Sequence, residues 1–224
     1  MRKLTPSFFY YRLREWFGMS EGVLENVTGV LIAGGKSRRM GRDKRFLQIG
    51  GRSVFDQTLS LLMKTFAETI VVLAEPIELL DVRGCRVVYD AIPCAGSLGG
   101  LYTGLISATQ PRIFAVACDM PFLDVGVIHF MVSCDEAADV VVAELGGRFQ
   151  PMHAVYSKRC VPFLRAMAEG KNLKIQKLFL TEGLRATVLG ESEFSALGAG
   201  CRSFQNINTP QDLAAAESPI SDKP

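Results

Sequence analysis

The chain alternates short apolar runs with longer segments whose apolar residues recur at helical spacing, and this alternation constrains the fold most. The apolar runs are rich in β-branched residues and predict strands at 27–33, 69–74, 85–89, 113–118, 139–145 and 152–157. Helical patterns lie around them at 53–67, 98–109, 124–134, 158–168 and 172–182. Near-continuous apolar strands separated by helices indicate a sheet covered on both faces. We therefore predict an α/β fold, a three-layer αβα, Rossmann-like architecture with a mostly parallel central sheet.

The C-terminal part adds two further elements. An apolar run at 186–190 predicts one more strand, placed at an edge of the sheet. Thr209 followed by Pro210 predicts the N-cap and the first position of a last helix. The sequence contains neither an internal repeat nor a low-complexity linker, so residues 26–218 are predicted to form one domain, followed by a tail at 219–224.

The N-terminal segment starts with two basic residues, as a signal peptide does, but Arg12, Arg14 and Glu15 interrupt its apolar part. It also lacks the length and the alternation of a strand that would join a sheet. We therefore expect residues 1–25 to be a disordered extension, and we hypothesise that Met1 is a misassigned start.

Composition excludes several classes of protein. The formal net charge of +2 argues against a general role at nucleic acids or membrane surfaces, and no apolar run is long enough to span a membrane. The six cysteines include no CxxC pair, and His129 and His153 are isolated, so we expect no zinc site. The cysteines are interpreted as free thiols in a reducing cytoplasm, and His153 as a packed strand residue.

The loop after the first strand is the most distinctive stretch. Residues 33–44, AGGKSRRMGRDK, hold three glycines and five basic side chains. Glycines let backbone N–H groups approach a ligand closely, and successive N–H groups form an anion-binding nest, so this loop is predicted to bind phosphate. Neither the Walker A spacing nor GxGxxG is present. Lys44 and Arg39 are the favoured phosphate contacts, and a solvated basic turn is the alternative.

Two carboxylates follow other predicted strands. Asp90 ends the run CRVVYD and precedes the glycine-rich segment AGSLGG, and Asp119 follows the run 113–118. In an open parallel sheet ligands bind beyond the carboxyl ends of the strands, so both acids are expected beside the basic loop. The alternative for each is an ordinary turn or helix cap. Because Mg²⁺ takes carboxylate and phosphate oxygens together, Asp119 is the predicted ligand of Mg²⁺.

These parts predict transfer of a nucleotidyl group. A nucleoside triphosphate bound along the loop would be attacked in line at its α-phosphorus by an acceptor phosphate, with pyrophosphate leaving. Such a reaction depends on positioning and charge neutralisation more than on a covalent nucleophile, which suits a chain with two histidines. Lys44 and Arg39 would stabilise charge on the leaving pyrophosphate.

The sequence resembles the molybdenum cofactor guanylyltransferases, the MobA family. The resemblance rests on GVLIAGGKSRRMGRDK, then AGSLGG, CDMPFL, FQPMHAVYS and NINTPQDL, in this order over residues 27–217. It implies a nucleotidyltransferase fold and transfer of GMP from GTP to the molybdenum-molybdopterin cofactor, which forms the guanine dinucleotide. It also implies delivery to molybdoenzymes, with docking to cofactor-insertion or delivery proteins.

The resemblance also implies roles for particular residues, which are carried over by position. The segment that holds the guanine nucleotide comprises Ile32, Ala33, Gly34 and Gly35, with Lys44 at the phosphates, Asp90 at the nucleotide site and Asp119 as the magnesium ligand. The acceptor side comprises Gln150, Pro151, Asn206 and Asn208.

This chain departs from the family pattern at Leu73, where some members carry a nucleotide-binding asparagine, and at Ser97, where a proline is frequent. Gly34 favours guanine, because cytidylyl relatives resemble LAAG at that place. The alternatives are a cytidylyltransferase of the same cofactor, a sugar-phosphate nucleotidyltransferase, and a non-catalytic nucleotide-binding or partner-regulating module.

Overall fold

The computed structural model describes residues 2–3, 22–34, 47–76, 82, 84–195, 200–207 and 209–217. Within these ranges the main element is an eight-stranded sheet. Its strands are β1 (Arg2–Lys3), β2 (Leu24–Ile32), β5 (Phe66–Leu73), β6 (Arg86–Tyr89), β7 (Arg112–Ala117), β8 (Val140–Leu145), β9 (Arg148–Ser157) and β10 (Ala186–Leu189). Two short strands, β3 (Gln48–Ile49) and β4 (Arg52–Ser53), form a separate antiparallel ribbon.

The sheet is mostly parallel, as predicted. Its strand order is β1-β10-β8-β9-β7-β2-β5-β6, and only β9 among these strands runs antiparallel to its neighbours β7 and β8. A two-residue turn at Gly146 and Gly147, with φ of 55° and 71°, joins β8 to β9. A tight hairpin turn of this kind needs positive φ at both positions, which glycine adopts without steric cost.

The described ranges contain six α-helices: α1 (Val54–Thr65), α2 (Gly96–Ser107), α3 (Val125–Ser133), α4 (Val161–Glu169), α5 (Glu191–Ser195) and α6 (Pro210–Glu217). Short 3₁₀ helices occur at Lys158–Cys160, Ile175–Leu180 and Gly200–Phe204. No helix in these parts of the chain is long and apolar enough to cross a membrane.

The helices cover both faces of the sheet, which confirms the three-layer prediction. Along β2 the side chains alternate: Leu31 packs on the face covered by α1, α3 and α5, whereas Val30 and Ile32 pack on the face covered by α2 and α4. All three side chains are buried, with at most 5% of their surface exposed. A strand buried on both faces is therefore apolar along its whole length, as the sequence pattern indicated.

The start of the last helix also confirms its prediction. The Thr209 hydroxyl accepts from the Asp212 N–H at 3.1 Å, and the Asp212 carboxylate accepts from the Thr209 N–H at 2.9 Å. This reciprocal arrangement satisfies two backbone donors that the first helical turn leaves without partners.

Four predictions about the elements were wrong. The pattern at 172–182 is a 3₁₀ helix at Ile175–Leu180 and not an α-helix. The strand at Ala186–Leu189 does not form an edge of the sheet, because β1 pairs with its outer side: Arg2 lies opposite Thr187, and Lys3 lies opposite Val188. The N-terminal segment was expected to contribute no strand. A two-residue strand pairs through its backbone and needs no side-chain alternation, so the pattern could not reveal it. Leu24 and Glu25 belong to β2, so the extension does not reach residue 25 as predicted. Residues 4–21 lie outside the described residues, and their predicted disorder stays a prediction.

Candidate active site

The carboxyl edge of the sheet brings together several of the predicted site residues. Gly34 follows β2, Asp90 follows β6 and Asp119 follows β7, all at the same edge, because these strands are parallel. In the strand order Asp90 and Asp119 lie on opposite sides of β2. The β2 loop therefore starts between two carboxylates, as the sequence predicted.

The start of the β2 loop is fixed by the sheet. Ile32 and Ala33 are buried, with 5% and 1% of their surface exposed, so their side chains belong to the core. The Ala33 N–H donates to the Val72 carbonyl at 2.9 Å, and the Ile32 carbonyl accepts from the Cys118 N–H at 3.2 Å. Gly34 is therefore the first residue of the loop whose backbone N–H could donate to a nucleotide, and it is exposed. The predicted contacts Gly35, Arg39 and Lys44 lie outside the described residues.

Asp90 presents a carboxylate that is costly to bury. Its Oδ1 atom is shielded from solvent and has no hydrogen-bond partner among the described residues. Burial raises the pKa of this carboxyl above its ordinary value of 3.8. The alternative interpretation of Asp90 as an ordinary turn cap does not account for a shielded oxygen without a donor. A buried acceptor without a partner in the protein is instead typical of a group whose hydrogen-bond donor is supplied by a ligand.

Glycines on α2 allow the Asp90 carboxylate to lie close to this helix. A Cβ placed on Gly99 would lie 2.9 Å from the Ile92 carbonyl oxygen, and one placed on Gly100 would lie 2.6 Å from Cγ2 of Ile32. Real side chains do not tolerate such contacts, so glycine is required at both positions for α2 to pack this closely. The same Cβ position on Gly100 is 3.8 Å from Oδ1 of Asp90. The segment AGSLGG therefore serves to pack α2 against β2 and the Asp90 loop.

The sequence analysis did not single out Thr103, a residue of α2. Its side chain is buried, with 2% exposed, and its hydroxyl oxygen accepts from the Ala91 N–H at 2.9 Å. The same hydroxyl donates to the Gly99 carbonyl at 2.8 Å. The sequence offered only a weak signal, a polar residue on the otherwise apolar inner face of a helix.

Asp119 is half-buried at the end of β7, in the loop that leads to α3. Asp124 is the N-cap of α3, and its carboxylate accepts from the Val127 N–H at 2.9 Å. The alternative interpretation of Asp119 as the helix cap is therefore wrong, since another acid fills that role. The carboxylate of Asp119 is a hard oxygen donor at the edge where phosphate is predicted to bind.

Ile207 links the Asp119 loop to the C-terminal segment. Its N–H donates to the Asp119 carbonyl at 2.8 Å, and its side chain is 2% exposed. It packs in a small apolar cluster with Leu47, which follows the basic loop, and Val54, which starts α1. The segment NINTPQDL therefore contains an apolar anchor between its two asparagines. The sequence analysis assigns no role to Ile207.

The residues assigned to the acceptor side lie near the same edge. The antiparallel pairing of β9 places His153 opposite Val116, so Gln150 and Pro151 extend β9 beyond the end of β7. Asn206 is exposed and directly precedes the anchored Ile207. Asn208 lies outside the described residues.

His153 is a core residue, as predicted. It is fully buried, its Nδ1 donates to the Ser203 carbonyl at 3.2 Å, and its ring packs edge-on against Phe114 at 5.1 Å. Burial lowers the pKa of His153 to about 3, although the hydrogen bond opposes this shift. A neutral imidazole enclosed by aromatic rings cannot exchange a proton with a substrate, so His153 is excluded as a general base.

The two departures from the family pattern are compatible with this geometry. Leu73 is buried, and its carbonyl accepts from the Asp90 N–H at 2.9 Å, so it contributes backbone to the site. Ser97 is exposed in the first turn of α2. None of the six cysteines, all of which the structure describes, takes part in a disulfide bond. The described residues contain no cluster of three or more histidine, cysteine, aspartate or glutamate side chains that could hold a metal ion.

Comparisons with known proteins show which family the chain resembles. Residues 29–184 match the model of the MobA-like NTP transferase domain. A probable molybdenum cofactor guanylyltransferase of Pelotomaculum thermopropionicum is 35% identical over 190 residues, covering 84% of this chain and 91% of the relative. The molybdenum cofactor guanylyltransferase of Desulfosudis oleivorans is 33% identical over 201 residues, covering 88% of this chain and 97% of the relative.

Solved structures share the fold. The molybdopterin-guanine dinucleotide biosynthesis protein A of Archaeoglobus fulgidus has a TM-score of 0.73 at 21% identity, covering 85% of this chain and 97% of its own. The 2-C-methyl-D-erythritol 4-phosphate cytidylyltransferase of Thermus thermophilus has a TM-score of 0.61 at 20% identity, covering 85% and 97%. At these identities the likeness shows the fold alone. The family model and the sequence relatives decide the family: the chain is a nucleotidyltransferase that belongs to the MobA-like NTP transferase family.

Proposed function

We propose that the protein transfers GMP from GTP to the molybdenum-molybdopterin cofactor, forming molybdopterin guanine dinucleotide and pyrophosphate with Mg²⁺. The observation that carries this proposal is the placement of Asp90 and Asp119 on either side of the loop that begins at Gly34, at one edge of the sheet. The sequence relatives bear the name of this activity.

Asp90 supports guanine as the base. The edge of guanine carries two adjacent N–H donors, on N1 and on the 2-amino group, and a carboxylate accepts two such bonds at once. The shielded Oδ1 of Asp90 lacks a donor among the described residues, and a bound guanine would supply one. A Cβ on Gly34 would lie 3.6 Å from Oδ2 of Asp90. Glycine therefore leaves open the space in front of this carboxylate, which an alanine would partly fill.

Asp119 is proposed to hold Mg²⁺. One carboxylate suffices for such a role, because Mg²⁺ in phosphate-binding sites is usually held by one or two carboxylates together with substrate phosphates and waters. When bound, the ion neutralises phosphate charge and polarises the phosphoryl oxygens. The loop carries Lys44 and Arg39, which we assign to the charge on the leaving pyrophosphate.

The acceptor is proposed to bind near Gln150, Pro151, Asn206 and Asn208. Its terminal phosphate oxygen attacks the α-phosphorus of GTP, the bond to the bridging oxygen breaks, and pyrophosphate leaves. A phosphate nucleophile is already ionised at neutral pH and needs no general base. The exclusion of His153 from proton transfer is consistent with this route.

Six cysteines outside disulfide bonds favour a cytoplasmic location, where thiols stay reduced. The product is a labile cofactor, so we also propose transfer to cofactor-insertion or molybdoenzyme delivery proteins.

Transfer from each of the four nucleoside triphosphates, with Mg²⁺ and with or without the molybdopterin acceptor, tests the proposal. Pyrophosphate release and the nucleotide attached to the pterin are measured together. Acceptor-dependent release with GTP alone is the expected result. Release with CTP would keep the mechanism and overturn the base assignment, whereas GTP binding without any transfer would indicate a binding module.

Asp90→Asn tests the assignment of the base. Inosine triphosphate lacks the 2-amino group but keeps the ribose, whereas 2′-deoxy-GTP keeps the whole base. If Asp90 binds the base edge, the variant loses the wild-type preference for GTP over inosine triphosphate. A variant that instead lost only its preference for GTP over 2′-deoxy-GTP would place Asp90 at the ribose.

A further inference from the structure

The loop after Asp90 is fastened to α2 by one buried hydroxyl. The Ala91 N–H donates to Oγ1 of Thr103 at 2.9 Å, and this hydroxyl donates its own hydrogen to the Gly99 carbonyl at 2.8 Å. The second bond spans four residues within the helix and leaves the oxygen lone pairs available. Thr103 is 2% exposed, and its bond to the Gly99 carbonyl is buried, whereas the bond from the Ala91 N–H is partly buried.

The two hydrogen bonds on either side of Asp90 fix its backbone. On the preceding side the Asp90 N–H donates to the Leu73 carbonyl of β5 at 2.9 Å. On the following side the Ala91 N–H is held by Thr103. The sheet therefore holds one peptide group and α2 holds the next, so the direction of the Asp90 side chain depends on both.

The position of the Asp90 carboxylate makes the direction of this side chain matter. The Asp90 carboxylate lies close to Gly34 and Gly100: Oδ2 is 3.6 Å from a Cβ position on Gly34, and Oδ1 is 3.8 Å from one on Gly100. No hydrogen bond from the described residues reaches Oδ1. Because no side chain among the described residues orients the carboxylate, its orientation depends on the backbone that carries it.

We propose that Thr103 is a positioning residue for nucleotide binding, which acts through the Ala91 peptide to aim the Asp90 carboxylate at the guanine base. This inference rests on the proposed function, because it assigns to Asp90 the recognition of GTP. Thr103 does not touch the substrate in this scheme. Its role is to keep a ligand-binding carboxylate in place before the ligand arrives, which reduces the ordering cost of binding.

The variants Thr103→Val and Thr103→Ser separate the hydroxyl from the shape of the side chain. Valine keeps the branched volume and loses the acceptor for the Ala91 N–H, whereas serine keeps the hydroxyl and loses a methyl group. We expect Thr103→Val to raise the KM for GTP about tenfold with little change in kcat, since weaker nucleotide binding leaves bound GTP equally reactive. Thr103→Ser keeps the hydroxyl, so its KM for GTP should stay close to the wild-type value.

Thr187→Val is the matched control. Thr187 is also a fully buried threonine, and its hydroxyl donates to Oδ2 of Asp135 at 2.8 Å. It lies in β10, three strands away from β7. Its substitution removes one buried side-chain hydrogen bond, whereas Thr103→Val removes two. We expect it to lower the unfolding midpoint without changing the KM for GTP.

A double-mutant cycle with Asp90→Asn separates a positioning role from a general loss of stability. If Thr103 acts through Asp90, Thr103→Val adds no further increase in KM once the carboxylate is gone, and the selectivity for GTP over inosine triphosphate falls in either single variant. A merely structural role would give additive effects and unchanged selectivity. If the valine variant does not fold, Thr103→Ala carries the same test.

The wild-type protein is assayed first with all four nucleotides, so that failure of the proposed function is recognised separately. No acceptor-dependent transfer from GTP by the wild type would overturn the proposed function, and this inference with it. Transfer from GTP by the wild type, with a KM that stays the same in Thr103→Val, would overturn the role of Thr103 alone.

Discussion

Replacement of Asp90 by asparagine should stabilise the unliganded protein while weakening GTP binding. The Oδ1 atom of Asp90 is shielded from solvent and receives no hydrogen bond from the described residues, and burial raises the pKa of the carboxyl. Asparagine has nearly the same shape, and its uncharged amide costs less to desolvate than a carboxylate. The substitution therefore removes a charge that the folded state tolerates only at a cost.

The size of the effect follows from that burial. A buried polar group without a partner costs about 1–3 kcal/mol, and because Asp90 is only half-buried we expect a gain near the lower end. A gain of about 1 kcal/mol raises the unfolding midpoint of a chain of this size by about 2–4 °C. Loss of a charge-assisted hydrogen bond to guanine should weaken GTP binding about tenfold or more.

The pH dependence supplies a second check. The pKa of Asp90 is higher in the folded state than the ordinary 3.8, so the cost of the carboxylate is present in full above the folded-state pKa. As the pH falls through that pKa toward 3.8, Asp90 is protonated in the folded protein and the cost disappears. The wild type and Asp90→Asn should therefore differ in stability at neutral pH and converge on acidification.

The assay is denaturant unfolding of the nucleotide-free protein from neutral pH down to the pH at which Asp90 is protonated. GTP binding is measured by calorimetry at neutral pH. Asp56→Asn is the control, because Asp56 is an exposed residue in the first turn of α1 and its replacement should bring no gain. An Asp90→Asn protein that is no more stable than the wild type at neutral pH, or whose advantage persists unchanged in acid, would refute the reasoning.

Four further outcomes are expected. Asp119→Asn should reduce kcat by at least a hundredfold at saturating Mg²⁺, with an unchanged unfolding midpoint, and full activity would remove Asp119 from the metal site. Lys44→Ala should lower kcat/KM for GTP about tenfold or more, and an unchanged value would exclude its contact with phosphate. Gly34→Ala should fold, because its Cβ would meet only ordinary contacts of 3.5–3.6 Å, yet reduce the preference for GTP over CTP in a transfer assay. Removal of residues 1–18 should leave kcat/KM for GTP unaltered, since β1 lies five places from β2 in the sheet, and a large loss would show that the segment has a role.

The sequence alone was sufficient to predict the layered α/β fold, because a strand buried on both faces must be apolar throughout. It also located the glycine loop, Asp90 and Asp119, since polar residues that directly follow such strands meet at one edge. It missed β1 and the antiparallel course of β9. The strand β1 leaves no side-chain pattern of its own, because strand pairing depends on backbone hydrogen bonds. The antiparallel course of β9 had a signal that was missed, since Gly146 and Gly147 between two apolar runs are typical of a tight hairpin.

Only the tertiary structure decided which of two acids caps α3. Asp124 caps α3, although Asp119 had an equally suitable sequence context, and the difference depends on where the helix begins. Likewise Thr103 and Ile207 resemble ordinary core positions in the sequence, and only the structure shows their hydrogen bonds to Ala91 and Asp119, which are distant along the chain. The sequence by itself determined which chemical groups this edge of the sheet can offer. Their orientation and burial were decided by packing, because a hydrogen bond between residues far apart along the chain exists only once the fold has brought them together.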